Sequence, residues 1–446
     1  MDSVFENRLF PLFAVMLLAA VIIMSYSNTF SSSFQFDDTQ QIVENRQIRS
    51  LANLPDILRG QRGVTVATFA FNYAMGGLST WGWHVVNTAI HIANSALVMF
   101  FISSTLFASG MGAAISKRLS FFVALIFALH PVQTQAVTYI VQRMESLSAL
   151  FYLLALILFI KSWQAQAPFK RYLLYAVTAL SYVLAFYSKE SALTLPAAIV
   201  LYDFYFLSGL RFKPLLARWP MHAMLWVLFI FFSLTTVMPS AGFSDLSAET
   251  AAQEASVKIA PAGAVTAQNA PSPAARPDII QKTADLPTAG FALPNFTPKQ
   301  YLYTQFNVIV YYLSLLIAPA NQNLDYDFPL SNKLFETPAI NKGTLLNYPL
   351  PPPAVSLVIL ALIAAIAFYL AFWSLRNGPG RARVASFFIF WFFLILSPTS
   401  SFIPILDVIY EHRLYLASVG AFTCFIIGVD ALLSFAFRSG RESAQK

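Results

Sequence analysis

About ten apolar runs that can cross, or nearly cross, a bilayer recur along the chain, and this repetition constrains the fold more than any single motif. A helix needs roughly 20 mostly apolar residues to span, fewer where flanking groups snorkel. The runs are Leu9–Tyr26, Val85–Phe107, Leu119–Leu129, Leu147–Trp163, Tyr172–Phe186, Leu193–Leu207, Met221–Val237, Val355–Trp373, Val384–Leu396 and Leu414–Phe437. Leu119–Leu129 is short alone and is expected to extend in one direction. Only 11% of residues are charged and 57% are hydrophobic, against roughly 25% charged in soluble domains. The expectation is an all-α polytopic membrane protein of about ten transmembrane helices with amphipathic helices at its outer face. The first run reads as a retained span, because SYSNTFSSSFQF offers no small-x-small cleavage site.

The net charge of +7 is a topology signal rather than a nucleic-acid signal, because Lys and Arg sit in short connections. Lys117 and Arg118; Lys161, Lys170 and Arg171; Arg211, Lys213 and Arg218; Arg376, Arg381 and Arg383; and the tail with Arg438, Arg441 and Lys446 fall in alternate loops. All can be cytoplasmic together if both termini are inside. The opposite face then receives Asp37, Asp38, His130, Arg143, Glu145, Lys189, Glu190, the Asp325–Asp327 region and Glu411-His412-Arg413. The single Cys424 excludes a disulfide within the chain.

Three parts follow from composition. Residues 1–238 form an N-terminal transmembrane module whose first outer loop, 28–83, carries the acids. Within that loop ENRQIRSLANLPDILRG reads as a short amphipathic helix ending near Gly60. Residues 239–299, rich in Ala, Pro, Ser, Thr and Gln, cannot bury enough apolar surface to offset ordering, so disorder is expected. Residues 300–446 form the C-terminal part. There Gln300, Thr304, Asn307, Tyr311 and Ser314 recur at helical spacing, one polar stripe on an apolar helix, as expected of an interfacial or re-entrant helix.

Carboxylates beside a bilayer are costly, so the pair Asp37-Asp38 marks a candidate site. A base plus a cationic phosphate site is the minimum kit for moving a sugar from a polyprenyl phosphate to a hydroxyl. The hydroxyl must lose a proton to a carboxylate, and the leaving phosphate needs only positive charge. Asp37 or Asp38 suits the first role; Arg413, with Arg143 and Lys189 as further choices, suits the second. Adjacent residues point differently, so one acid is expected to face the acceptor and the other to orient it or bind backbone. The competing reading is that both cap the following helix.

The remaining candidates also carry plainer readings. Glu411-His412-Arg413-Leu414-Tyr415 could anchor the last span at the interface. His84, His91 and His130 match no ordinary metal-ligand spacing, and His130-Pro131 reads as a helix terminator. Ser188-Lys189-Glu190 could be a loop ion pair, and Asp325 and Asp327 turn acids.

Taken in order, several strings resemble one family. They are FDD-x-x-x-I-x-x-N (Phe36 to Asn45), GWH-x-x-N (Gly82 to Asn87), H-x-x-x-S (His91 to Ser95), HPV-x-T-x-AV (His130 to Val137) and QRMESLSALF (Gln142 to Phe151). SKE (Ser188 to Glu190), a looser LYD string ending at Asp203, and EHRLYL (Glu411 to Leu416) follow. The set resembles the TMTC-type protein O-mannosyltransferases and their bacterial relatives, of the GT-C class of polytopic glycosyltransferases. The resemblance implies an inverting transferase using a polyprenyl-phosphate sugar, usually without metal or other cofactor. It makes Asp37 the first choice of base and Asp38 the second, with Arg413, Glu411 and His412 at the donor phosphate or sugar. Relatives commonly carry a C-terminal tetratricopeptide array, whereas this chain stops soon after its last apolar run.

The expected activity is transfer of a mannose-like hexose to a Ser/Thr hydroxyl of an exported protein. The expected place is the outer face of a bacterial inner membrane. The alternatives are a glycan or lipid acceptor, a lipid-linked sugar transporter, or a non-catalytic assembly partner. A transporter predicts mid-membrane charges and internal repeats; here the charges gather at one face.

Overall fold

The computed structural model describes residues 2–237, 297–339 and 350–444, all helical or irregular with no strand among them. The Ala/Pro-rich segment, apart from residues 297–299, lies outside the described residues. The principal helices are α1 (Phe10–Tyr26), α2 (Gly63–Gly76), α3 (Thr80–Ala108), α4 (Ala113–Leu129), α5 (Arg143–Gln164) and α6 (Pro168–Ser188). They continue with α7 (Leu195–Tyr202), α8 (Trp219–Phe232), α9 (Pro298–Ile317), α10 (Pro353–Asn377), α11 (Arg381–Leu396) and α12 (Leu414–Ala444). Proline stands in the first turn of α1, α6, α7, α8, α9 and α10, where its missing N–H leaves no bond unmade.

Each apolar run is a helix, but fewer than ten meet the demands of a span. Among the described residues seven stretches are long and apolar enough, and an eighth is reached if α4 and its continuation Pro131–Thr138, bent by 56°, count as one. The bend follows from His130-Pro131: the residue before proline is driven out of the helical region, and His130 has ψ 129°. Helix α11 is only 16 residues long, and α6 opens on Lys170 and Arg171. The protein is an all-α polytopic membrane protein. Large apolar side chains on α10, among them Val358, Leu362, Ile366 and Phe368, are exposed as lipid-facing groups would be.

The core is built by α3 against α4 and α5, by α5 along α6, and by α11 between α10 and α12. Helices α11 and α12 meet at Gly420, where an added Cβ would lie 2.5 Å from the Phe388 carbonyl oxygen. Only a residue without a side chain permits that approach.

Two sequence expectations are corrected. The polar stripe of α9 does not face water: Thr304, Asn307 and Tyr311 are buried. Thr304 Oγ1 accepts the Ser331 N–H at 2.9 Å, and Asn307 Nδ2 donates to the Pro351 carbonyl at 3.1 Å. The stripe is an internal seam that satisfies loop backbone. In the first outer loop the helix ends at Gly60 as expected but covers only Leu54–Arg59. Pro55, lacking an N–H, starts it afresh, and short 3-10 turns precede it.

Candidate functional site

The first outer loop, the start of α5, the α6–α7 connection, the loop after α9 and the approach to α12 all meet at one end of the bundle. At the opposite end two acids are paired, Asp430 taking Arg118 and Arg381, and Asp203 taking Arg218 and His222. The segregation of polar groups read from the loops is therefore a contact map as well as a topology pattern.

The acid pair is split by local geometry. Phe36 adopts a left-handed backbone (φ 43°), a conformation that costs a side-chain-bearing residue roughly 1–3 kcal/mol. The following turn leaves Asp37 exposed and Asp38 1% exposed. Both Asp38 oxygens accept backbone N–H groups, Oδ1 from Val141 at 2.7 Å and Oδ2 from Gln35 at 3.1 Å. Asp38 makes no cap to the helix that follows, so the capping alternative is not what the chain does. Burial, with a lesser push from the Asp37 charge, raises the Asp38 carboxyl to about 6. The backbone N–H groups oppose this. The Asp37 N–H donates to the Tyr139 hydroxyl at 2.9 Å. The loop is thus stitched to the start of α5, with one carboxylate spent on backbone and its neighbour outward.

Asp37 shares its surroundings with two other acids. Asp325 is exposed in the loop after α9, and Asp407 precedes the Glu411-His412-Arg413 turn. Asp407 keeps an exposed edge, yet its partial withdrawal from water raises its carboxyl; Arg413 pulls it down, and the charges of Asp325 and Asp37 raise it further. Burial and the same three acids push the Tyr410 phenol upward. Arg413 is 8% exposed and sits against the Tyr410 ring. It donates to the Asp407 and Val408 carbonyls at 2.7 and 3.1 Å, and it joins no ion pair among the described residues.

Glu411 and His412 organise loops. Glu411 accepts from Gln322 Nε2 (2.5 Å), from the Asn323 N–H (2.8 Å) and from the Tyr326 hydroxyl. The His412 N–H donates to Gln135 Oε1 at 2.6 Å, and Gln135 Nε2 donates to the Leu324 carbonyl at 2.9 Å. Asp325 is thereby carried on a loop held by the last motif. Glu145 and Lys189 form an almost fully buried ion pair of 2.7 Å. With Arg413 they line a cavity of about 20 Å³, room for roughly one water rather than a sugar phosphate. Glu190 takes Arg62 at 3.0 Å.

Three candidates have internal roles. Arg143 is fully buried beside Phe69 and Trp83 and donates to Asn87 Oδ1 (2.7 Å), the Trp83 carbonyl (3.1 Å) and Thr68 Oγ1 (3.2 Å). It anchors α2 and α3 to α5. His91 is buried between Tyr415 Oη (2.7 Å) and the Ala128 carbonyl (3.1 Å). His130 Nδ1 accepts the Val132 N–H at 3.2 Å, the cap of the turn that ends α4. Among the described residues no three His, Cys, Asp or Glu side chains converge as metal ligands. Sequence reasoning missed Asp407, Tyr139, Gln135 and Arg62. Asp407, an acid four residues before Glu411 in an apolar context, carried the same cost signal as Asp37.

The fold and this end of it define a polytopic membrane protein with an exposed carboxylate loop laid over buried cations. Over a third to nearly half of its length the chain is similar in sequence to TMTC protein O-mannosyl-transferases. It is 30% identical to protein O-mannosyl-transferase TMTC4 of Homo sapiens over 187 residues, 37% of this chain and 25% of that protein. It is 32% identical to TMTC3 of Mus musculus over 163 residues, 33% and 17% of the two chains. With Tmtc1 of Drosophila melanogaster it is 34% identical over 152 residues, 31% and 17% of the two. The chain thus covers a quarter or less of the length of these relatives. No family model matches the sequence, and no solved structure matches it.

Proposed function

We propose that the chain is a membrane glycosyltransferase that moves a mannose-like sugar from a polyprenyl-phosphate donor to a Ser/Thr hydroxyl of a protein. The relatives named above are protein O-mannosyl-transferases, which favours a sugar donor and a protein acceptor. The observation that carries the reading is the division of labour in the acid pair: Asp38 is spent on backbone, and Asp37 is left outward, within electrostatic reach of Asp407, which Asp325 and Arg413 also reach.

In this reading the acceptor oxygen attacks the sugar C1 as its proton passes to the Asp37 carboxylate. The bond from C1 to the phosphate oxygen breaks, and polyprenyl phosphate leaves with the electron pair. Attack opposite the leaving group inverts the anomeric centre. Arg413 supplies the cation for the developing charge, a fork that suits phosphate oxygens. Lys189 is already neutralised by Glu145, so it serves the phosphate only if that pair opens. Asp325, held by Glu411 and its loop, would face the sugar hydroxyls. The site lies on the outer face of a bacterial inner membrane, both termini being cytoplasmic, as the basic loops favour.

The test is transfer in proteoliposomes with radiolabelled polyprenyl-phosphate mannose and a Ser/Thr-rich acceptor. Asp37-dependent labelling of the acceptor, with the opposite anomer by NMR, is expected. Sugar that crosses the bilayer without becoming covalently attached would assign the chain to transport instead.

A further inference from the structure

A larger cavity, of about 480 Å³, lies at the other end of the bundle. It opens between the C-terminal ends of α3 and α5, the first turns of α4 and the segment following α7. Along α5 it is about 28 Å from Glu145 to Gln164 on its wall, so it forms no part of the site above.

Its lining has two chemistries. Ser103, Ser104 and Lys117 supply hydroxyls and an ammonium; Phe107, Ile160 and Leu207 supply an apolar wall. No acid lines it. Lys117 is half-buried, donates only a long bond of 3.4 Å to the Asn7 carbonyl and joins no ion pair among the described residues. Asp430, the acid on α12 at this end, is already held by Arg118 and Arg381. Among the described residues the ammonium joins no ion pair, and it sits where the spanning helices leave the apolar layer. A volume in the ordinary range of ligand pockets exceeds what a small anion needs. A bare phosphate would also leave the apolar wall uncovered. An amphiphile with an anionic head matches both halves.

We propose that this cavity binds the headgroup of an anionic membrane phospholipid. Lys117 and the Ser103 hydroxyl hold the phosphate oxygens, the Ser104 hydroxyl donating to the Phe100 carbonyl, and the first acyl carbons lie against Phe107, Ile160 and Leu207. The site is distinct from the donor site and takes a lipid that is not consumed.

The test is native mass spectrometry of the full chain in micelles supplied with equal phosphatidylglycerol and phosphatidylcholine. At least fivefold preferential retention of phosphatidylglycerol is expected. Lys117→Gln removes the charge and Ser104→Trp fills the volume; each should bring the preference below twofold while the unfolding midpoint holds. The variants are read separately, so misfolding of one leaves the other decisive. Equal retention of both lipids by the unmodified chain, or a preference unchanged in the folded variants, overturns the proposal. Excess glycerol phosphate should not displace the lipid; displacement would make a free phosphate ester the ligand and overturn the lipid assignment.

Discussion

Replacing Asp38 by Asn separates its titration from its hydrogen bonds. Burial holds the carboxyl at about 6 against an ordinary value of 3.8, so the folded chain binds this proton more tightly than the unfolded chain does. The stabilisation is complete below about pH 4 and is lost as pH rises through about 6. A rise of that size corresponds to roughly 3 kcal/mol. Asp407 titrates in the same direction, so the wild-type curve alone cannot isolate Asp38, whereas the difference between wild type and Asp38→Asn can. Unfolding in mixed micelles, followed by helix signal at pH values from 4 to 7, measures that difference. The variant should lose ground relative to wild type toward pH 4 and gain it toward pH 7, by roughly 3 kcal/mol in total. The amide offers one acceptor where the carboxylate offered two, so the Asp37 loop loosens. Losing one charge-assisted bond, about 1.5–3 kcal/mol, predicts roughly ten- to hundredfold lower transfer at pH 7. A difference in stability that stays constant across the range would refute the buried-carboxylate argument.

Other perturbations follow from the same contacts. Tyr139→Phe removes the hydroxyl that takes the Asp37 N–H, and about 1 kcal/mol of lost positioning should cut turnover roughly fivefold, with little change in KM. Arg143→Lys cannot reproduce the fork to Asn87, Trp83 and Thr68; it should cost about 2–4 kcal/mol in unfolding experiments, with donor KM unchanged in the folded fraction. Lys189→Met leaves Glu145 without its partner, and adding Glu145→Gln should recover part of the loss. A double-mutant cycle in stability should give a coupling of about 1–3 kcal/mol, and zero coupling would make the pair incidental.

The membrane class and the positions of the helices were legible because span-length apolar runs have few other uses. The number of spans was less so: Val384–Leu396 is visibly short and His130-Pro131 reads as a terminator, but apolar runs counted singly do not say which of them cross on their own. The α9 stripe was misread for a physical reason. Polar residues at helical spacing have the same pattern whether they face water or the unpaired backbone of a packed loop, and only Ser331 and Pro351 arriving at Thr304 and Asn307 decide it. In the site, cost near lipid pointed to the acid pair, and adjacency predicted their opposite orientations. It could not say which turns inward; the left-handed Phe36 does that. Arg143 illustrates the converse: an arginine in a motif string attracts a catalytic reading, yet its guanidinium is taken up by three groups on α2 and α3.

The central claim is that Asp37, not Asp38, takes the acceptor proton in a sugar transfer to protein. Intact-mass and glycopeptide analysis of exported proteins tests it most directly, comparing wild type with Asp37→Asn at equal expression and folding. The account predicts a hexose-sized mass on Ser or Thr in the wild type that is absent in the variant. The same modification at undiminished occupancy in Asp37→Asn would contradict it.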